Sequence, residues 1–175
     1  LEILPRSGNT ASPMRRLAED LDAVILARAG LERVGWLDKA AESIDPELIL
    51  PAPAQGALCV EVRADDEEAW NSVADQNHIP SYACVVGERT VLSTLEAGCS
   101  APVAAHATLN DEQNQLTVTG GVFAIDGSRK LLETRTVDID LAGDWRAAAA
   151  GIGAQIGRIL LDAGAAELVA EARES

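Results

Sequence analysis

Residues 115–139 read QLTVTGGVFAIDGSRKLLETRTVDI, two stretches of alternating apolar and polar side chains on either side of Asp126-Gly127. A period of two marks strands with one face in a core and the other in solvent. Asp-Gly between two such runs is a strong hairpin signal. The preceding run, Val103–Leu109, has the same character, so three strand-like segments are predicted at Val103–Leu109, Gln115–Ile125 and Lys130–Ile139, with a polar loop at Asn110–Asn114. Gly120-Gly121 reads as a bulge rather than a phosphate cradle.

Helices are predicted before and after these strands. Pro80–Ala97 places Cys84, Val91, Leu92 and Leu95 toward one side. A closing helix starts near Asp144, a good N-cap, and ends at Gly164. It carries a stripe of Trp145, Ala148, Ile152, Ile156, Ile159, Leu160 and Ala163. Gly151, Gly153 and Gly157 inside it cost about 1 kcal/mol each relative to alanine, which points to close helix–sheet packing. Residues 77–175 therefore read as a small α+β domain with a three-stranded antiparallel sheet and helices on one face.

The first half has a different rhythm. Leu1–Leu4 is a short apolar strand, and Ser12-Pro13 leads into a helix over Met14–Glu19. Ala23–Ala27 is an unbroken apolar run, as expected of a strand buried on both faces of an open sheet. Ala29–Val34 begins another helix, stopped near Gly35. Strand, helix, strand, helix implies parallel strands and crossover helices, an α/β arrangement. Ala57–Arg63 reads as one more strand, followed by Asp65-Asp66-Glu67-Glu68 at the head of a helix over Glu68–Asp75. Four acids in a row could bind a metal, but a helix dipole favours each at that position by roughly 0.3–1 kcal/mol, and the capping reading is preferred.

The chain has 175 residues, 47% hydrophobic and 24% charged, with a formal net charge of −14. Such a surface repels a phosphate backbone, which disfavours nucleic-acid binding. No apolar run reaches the roughly 20 residues of a membrane span. The three cysteines, Cys59, Cys84 and Cys99, have unrelated spacings. That argues against a disulfide framework and for a reducing, cytoplasmic setting. A start without methionine, in what reads as mid-strand, suggests a fragment.

Candidate chemistry centres on Cys99, in Leu95-Glu96-Ala97-Gly98-Cys99-Ser100-Ala101-Pro102. The preceding helix delivers its negative end there, with Gly98 as the expected stop, and Glu96 adds a carboxylate. Both disfavour a thiolate, so this sulfur suits a single reaction with a very reactive electrophile better than protease or redox work. Taken alone, an inert loop residue is the simpler reading. Cys59 and Cys84 are expected in the core. His78 and His106 have no partner at metal-ligand spacing, so no metal site is expected. Arg33 and Gln55 each sit near a glycine at an element end, where α/β sheets bind ligands. Taken alone, an ordinary surface charge and a turn glutamine are the simpler readings.

Three blocks together resemble hydroxymethylbilane synthase (porphobilinogen deaminase). They are Asp22–Arg33, Leu50-Pro51-Ala52-Pro53-Ala54-Gln55-Gly56-Ala57, and Glu88-Arg89 with Leu95–Pro102. The similarity covers nearly the whole chain but corresponds to the carboxy-terminal half of a family member. It implies that Cys99 carries a dipyrromethane cofactor through a thioether, a primer made from two porphobilinogen units. Each further porphobilinogen loses ammonia and is attacked by the terminal pyrrole; after four additions, hydrolysis releases hydroxymethylbilane. Arg33 would contact pyrrole acetate and propionate groups, and Gln55 would line the cleft near a hinge.

The resemblance also implies three domains. Residues 1–53 would be the latter half of a periplasmic-binding-protein-like second domain, 54–76 a segment returning to the first domain, and 77–175 the cofactor-carrying domain. The catalytic aspartate would lie in the absent first domain, leaving no catalytic residue in this chain. The implied partners are porphobilinogen, the growing polypyrrole and the missing amino-terminal half, with no nucleic acid or membrane, in a cytoplasmic monomer. One block departs from the family pattern. Its Arg-Gly-Asn-x-x-Thr-Arg appears as Arg6-Ser7-Gly8-Asn9-Thr10-Ala11-Ser12-Pro13, with Pro13 in place of the second arginine. Neither arginine role is therefore assigned; Arg6 and Arg15 are the candidate substitutes. Two other readings stay open: a diverged, non-catalytic ligand-binding or interaction fragment, which this departure favours, and an unrelated thiol enzyme.

Overall fold

The computed structural model describes Met14, Leu17, residues 20–98 and residues 101–174. The predicted strand Leu1–Leu4 and nearly all of the predicted helix Met14–Glu19 lie outside the described residues, as do Cys99, Arg6 and Arg15. The chain divides into two units, Leu1–Asp45 and Pro46–Ser175.

In the first unit, helix α1 spans Arg28–Arg33 and buries Leu31. It ends in a Schellman motif: Gly35, at φ +71°, donates its N–H to Glu32 O, and the Trp36 N–H reaches back to Leu31 O at 2.9 Å. The predicted strand Ala23–Ala27 is not formed. A strand buried on both faces needs neighbours on either side; no strand among the described residues pairs with this run, and Ile25 is 70% exposed.

The second unit opens with an extended stretch. Ala57–Arg63 has the alternation of a strand but no ladder partner among the described residues, and Leu58 is 95% exposed. Helix α2 follows over Glu67–Val73, and the Asp66 carboxylate accepts the Ala69 N–H at 2.9 Å. The acidic run therefore serves as a helix cap. Helix α3 spans Ile79–Thr94 with His78 as N-cap, its Nδ1 accepting from the Ser81 N–H.

Strands β1 (Val103–Leu109), β2 (Gln115–Phe123) and β3 (Lys130–Asp138) form an antiparallel sheet in the order β1-β2-β3. Register is continuous through Gly120 and Gly121, so there is no bulge there. The Asp126-Gly127 turn closes as predicted, with Gly127 at φ +74° and the Asp126 carboxylate taking the Ser128 N–H. Inward side chains Ala105, Ala107, Leu116, Val118 and Val122 meet α3 and helix α4, Trp145–Asp162. The outward face carries cross-strand hydroxyl pairs, Thr117–Thr136 and Thr119–Thr134, each at 2.9 Å.

Helix α4 starts on Asp144 and stops before Gly164, at φ +97°, as predicted. Its buried stripe differs slightly: Ala149 takes the place expected for Ala148, and Ala163 is exposed. A further helix that the sequence reading left unassigned, α5 (Ala165–Glu174), buries Ala165, Leu168 and Val169 at helical spacing.

The glycines have a different cause from the one expected. A Cβ on Gly153 would collide with the Gly87 carbonyl oxygen, and one on Gly157 would stand 2.6 Å from Thr94. These residues let α4 approach α3, a helix–helix contact. The close helix–sheet contact belongs to Gly120, whose Cβ would meet Ile156 and Val91 within 3 Å. Gly151 faces open space. Gly151→Ala should therefore stabilise the domain by about 0.5–1 kcal/mol, whereas Gly153→Ala should destabilise it by about 1–3 kcal/mol. Thermal melts of the two variants check this, and equal shifts would contradict the packing.

Candidate functional site

Glu88 lies in the apolar stripe of α3, one turn after Cys84 and one turn before Val91 and Leu92. It is only 6% exposed. One carboxylate oxygen accepts the Ala107 N–H at 2.7 Å, and the other accepts the Ala54 N–H at 2.6 Å. His106 Nδ1 lies 3.8 Å away. Burial pushes the Glu88 carboxyl above its ordinary value; the N–H donors of Ala54 and Ala107, and then His106, pull it back. Burial, and then the charge of Glu88, push the neighbouring Cys84 thiol up to about 11, so it stays protonated near neutral pH.

The Ala54 contact holds a turn. The Gln55 N–H donates to Ala52 O at 3.0 Å, with Pro53 and Ala54 between them. Proline followed by a positive φ is the signature of a type II turn, and Ala54 takes the left-handed position, φ +63°, that glycine prefers. Gly56, at φ +87°, continues the reversal, and the Ala57 N–H closes onto Ala54 O. Gln55 stands exposed at this double turn.

At its far end α3 leads toward Cys99. The predicted stop was Gly98, but the helix ends earlier. Leu95 is the C-cap, and Glu96 takes the left-handed position at φ +48°. Glu96 N–H to Ser93 O and Ala97 N–H to Leu92 O complete a Schellman motif, here with glutamate where α1 uses Gly35. Gly98 is exposed, and a Cβ built on it would meet nothing within 4 Å. The Ala101 N–H donates to Gly98 O at 3.1 Å, and the Phe123 N–H to Pro102 O at 3.0 Å. The described residues on both sides of Cys99-Ser100 are thus anchored, one side to α3 and the other to the sheet.

Arg33 belongs to the first unit, where it is the exposed last residue of α1. Gln55 and both flanks of Cys99 belong to the second, carried on α3 and β1. Cys59, expected in the core, is exposed on the extended stretch, and Cys84 is half-buried. A shallow groove between that stretch and α2 is lined by Cys59, Glu61, Arg63, Asp66 and Trp70. Among the described residues, no three His, Cys, Asp or Glu side chains cluster as metal ligands, and no helix is long and apolar enough to cross a membrane. Sequence reasoning gave Glu88 no role. The signal was present, because a lone carboxylate in the stripe of Cys84, Val91 and Leu95 must be buried with partners.

Residues 1–71 match the family domain described as porphobilinogen deaminase, dipyromethane cofactor binding domain, and residues 82–162 match porphobilinogen deaminase, C-terminal domain. Arg33 and Gln55 fall in the first stretch and Cys99 in the second. Porphobilinogen deaminase from Corynebacterium glutamicum (strain R) is 46% identical over 173 residues, covering 98% of this chain and 55% of the relative. The enzyme of that name from Corynebacterium efficiens is 51% identical over 134 residues, covering 75% of this chain and 45% of the relative. That from Thermobifida fusca is 40% identical over 174 residues, covering 98% and 54%. The chain spans about half the length of the curated relatives it matches.

A carboxyl whose pKa rises on folding stabilises the native state most below the unfolded value, here 4.5, and that contribution is lost as pH rises through the higher native value. The melting temperature of wild type relative to Glu88→Gln should therefore fall as pH rises from about that value toward neutrality. A difference independent of pH would contradict the burial of this charge.

Proposed function

From the premise that this chain belongs to the porphobilinogen deaminase family, we propose that it is the carboxy-terminal, cofactor-carrying half of an enzyme of tetrapyrrole biosynthesis. The whole enzyme is a transferase that condenses four porphobilinogen molecules, with loss of ammonia, into hydroxymethylbilane. In this reading residues 1–53 complete a parallel-sheet domain, 54–76 return to a first domain outside this chain, and 77–175 carry the cofactor.

One observation carries the assignment to half of a larger enzyme. The stretch from Leu58 to Trp70 exposes apolar side chains that no described residue covers: Leu58 is 95%, Val60 62% and Trp70 63% exposed. An exposed apolar surface of this kind marks a protein–protein or domain contact. A strand-like sequence without a sheet is the natural product of removing the strands that would flank it. Ile25 in the first unit tells the same story at 70% exposure.

Cys99 would hold a dipyrromethane through a thioether. The described residues before it fit that group: Gly98 is exposed with open space around its α-carbon, and the preceding helix ends at its C-terminus, which has no positive pole to sustain a thiolate. When bound, the dipyrromethane supplies the free pyrrole carbon at which the product is built. Arg33 would pair with acetate and propionate carboxylates, and Gln55 would line the cleft from its turn. The proton-transfer carboxylate belongs to the absent first domain, so the isolated chain would not turn over.

Intact mass measurement after incubation with porphobilinogen and a separately produced amino-terminal half, which supplies the deaminating carboxylate, tests the reading. The predicted result is a dipyrromethane-sized gain confined to Cys99 and absent from Cys99→Ser. A gain that persists in Cys99→Ser, or that maps to Cys59, would contradict it.

A further inference from the structure

We propose that Glu88 is a positioning residue: its buried carboxylate fixes the turn that presents Gln55 to the edge of the sheet, in place of a fourth strand. Strand β1 is an edge, and its outward N–H groups at Ala105 and Ala107 need acceptors because both residues are buried. The chain running past that edge is Pro51-Ala52-Pro53-Ala54. Pro51 O takes the Ala105 N–H at 3.0 Å, but prolines cannot donate, and the turn at Pro53 carries the backbone away. The Ala107 N–H and the Ala54 N–H are left to be paired, and Glu88 reaches both from α3.

The chemistry selects a carboxylate. Two donors converge on one side chain, and only an ionised acid offers an acceptor oxygen to each. Glutamine would satisfy one N–H and point its own amide hydrogens at the other. An apolar side chain would orphan both. Burying the charge does not favour stability, so the bridge is better explained by where it holds the turn than by the strength of the fold. It also holds Ala54 in a left-handed conformation that alanine avoids, one residue before Gln55. The significance for catalysis rests on the reading of Gln55 as a cleft residue; the bridge itself does not.

The groups facing the Glu88 carboxylate are Cys84 on α3 and His106 on β1. The test is nuclear magnetic resonance of the whole chain. In wild type, the Ala54 and Ala107 amide signals should shift together with pH, sharing one midpoint above the ordinary glutamate range. In Glu88→Gln neither signal should titrate there, and the Ala54 amide should exchange with solvent roughly tenfold faster while Val118 and Ile156 keep their protection. In His106→Gln the shared midpoint should move up and persist. Separate midpoints, no titration in wild type, or unchanged Ala54 protection in a folded Glu88→Gln would overturn the proposal. If Glu88→Gln does not fold, the wild-type titration decides. A failure of the proposed cofactor-carrier role would appear instead as a missing adduct at Cys99 in the reconstituted pair and would leave these amide signals untouched.

Discussion

A single buried carboxylate joins a helix, a sheet edge and a turn of the second unit. Glu88 sits on α3, bonds the edge of β1 through Ala107, and bonds the turn before Gln55 through Ala54. Helix α3 and strand β1 are also the two elements between which Cys99 lies in the chain. Displacing that carboxylate would leave the buried Ala107 N–H without an acceptor, costing about 1–3 kcal/mol, and would free the part-buried Ala54 N–H at a smaller cost. The constraint comes from the Pro-Ala-Pro-Ala sequence, which cannot pair with the sheet edge as a strand would.

The local conformations around the candidate residues follow one pattern. Among the described residues, three that are not glycine adopt a left-handed backbone: Ala54, Glu96 and Gln113. Ala54 precedes Gln55, and Glu96 turns the chain out of α3 toward Cys99. Gly35 does the same work after Arg33 without steric penalty. Such backbone persists only where its surroundings hold it. At Ala54 that support is Glu88, and at Glu96 it is the pair of bonds back to Leu92 and Ser93.

The α+β domain was legible in the sequence because its signals are local. Alternation in Val103–Leu109, Gln115–Phe123 and Lys130–Asp138, the Asp-Gly turn and the Asp144 cap each act within a few residues. The expected strands at Ala23–Ala27 and Ala57–Arg63 failed for a physical reason: a strand is a relation between chains, and their neighbours are not among the described residues. Cys59 was placed in a core, but no described residue buries it. Gly153 and Gly157 of α4 were recognised as close-packing positions but assigned to the wrong surface, since one sequence cannot say which element lies across a helix, and Gly151 packs against nothing within 4 Å. Glu88 was visible as a charge in an apolar stripe, while its two accepted bonds depend on a turn 34 residues before it and a strand 19 residues after it.

Packing, edge chemistry and family membership are consistent with the proposed carrier half, in which the exposed apolar stretch of the second unit would meet the rest of the enzyme. The most direct measurement of that claim is reconstitution: the chain is mixed with a separately produced amino-terminal half, and tetrapyrrole formation from porphobilinogen is followed. The account predicts product only when both halves are present, and none when Cys99 is replaced by serine. Equal product with the serine variant, or a stable reconstituted pair that carries primer yet forms no tetrapyrrole, would contradict it.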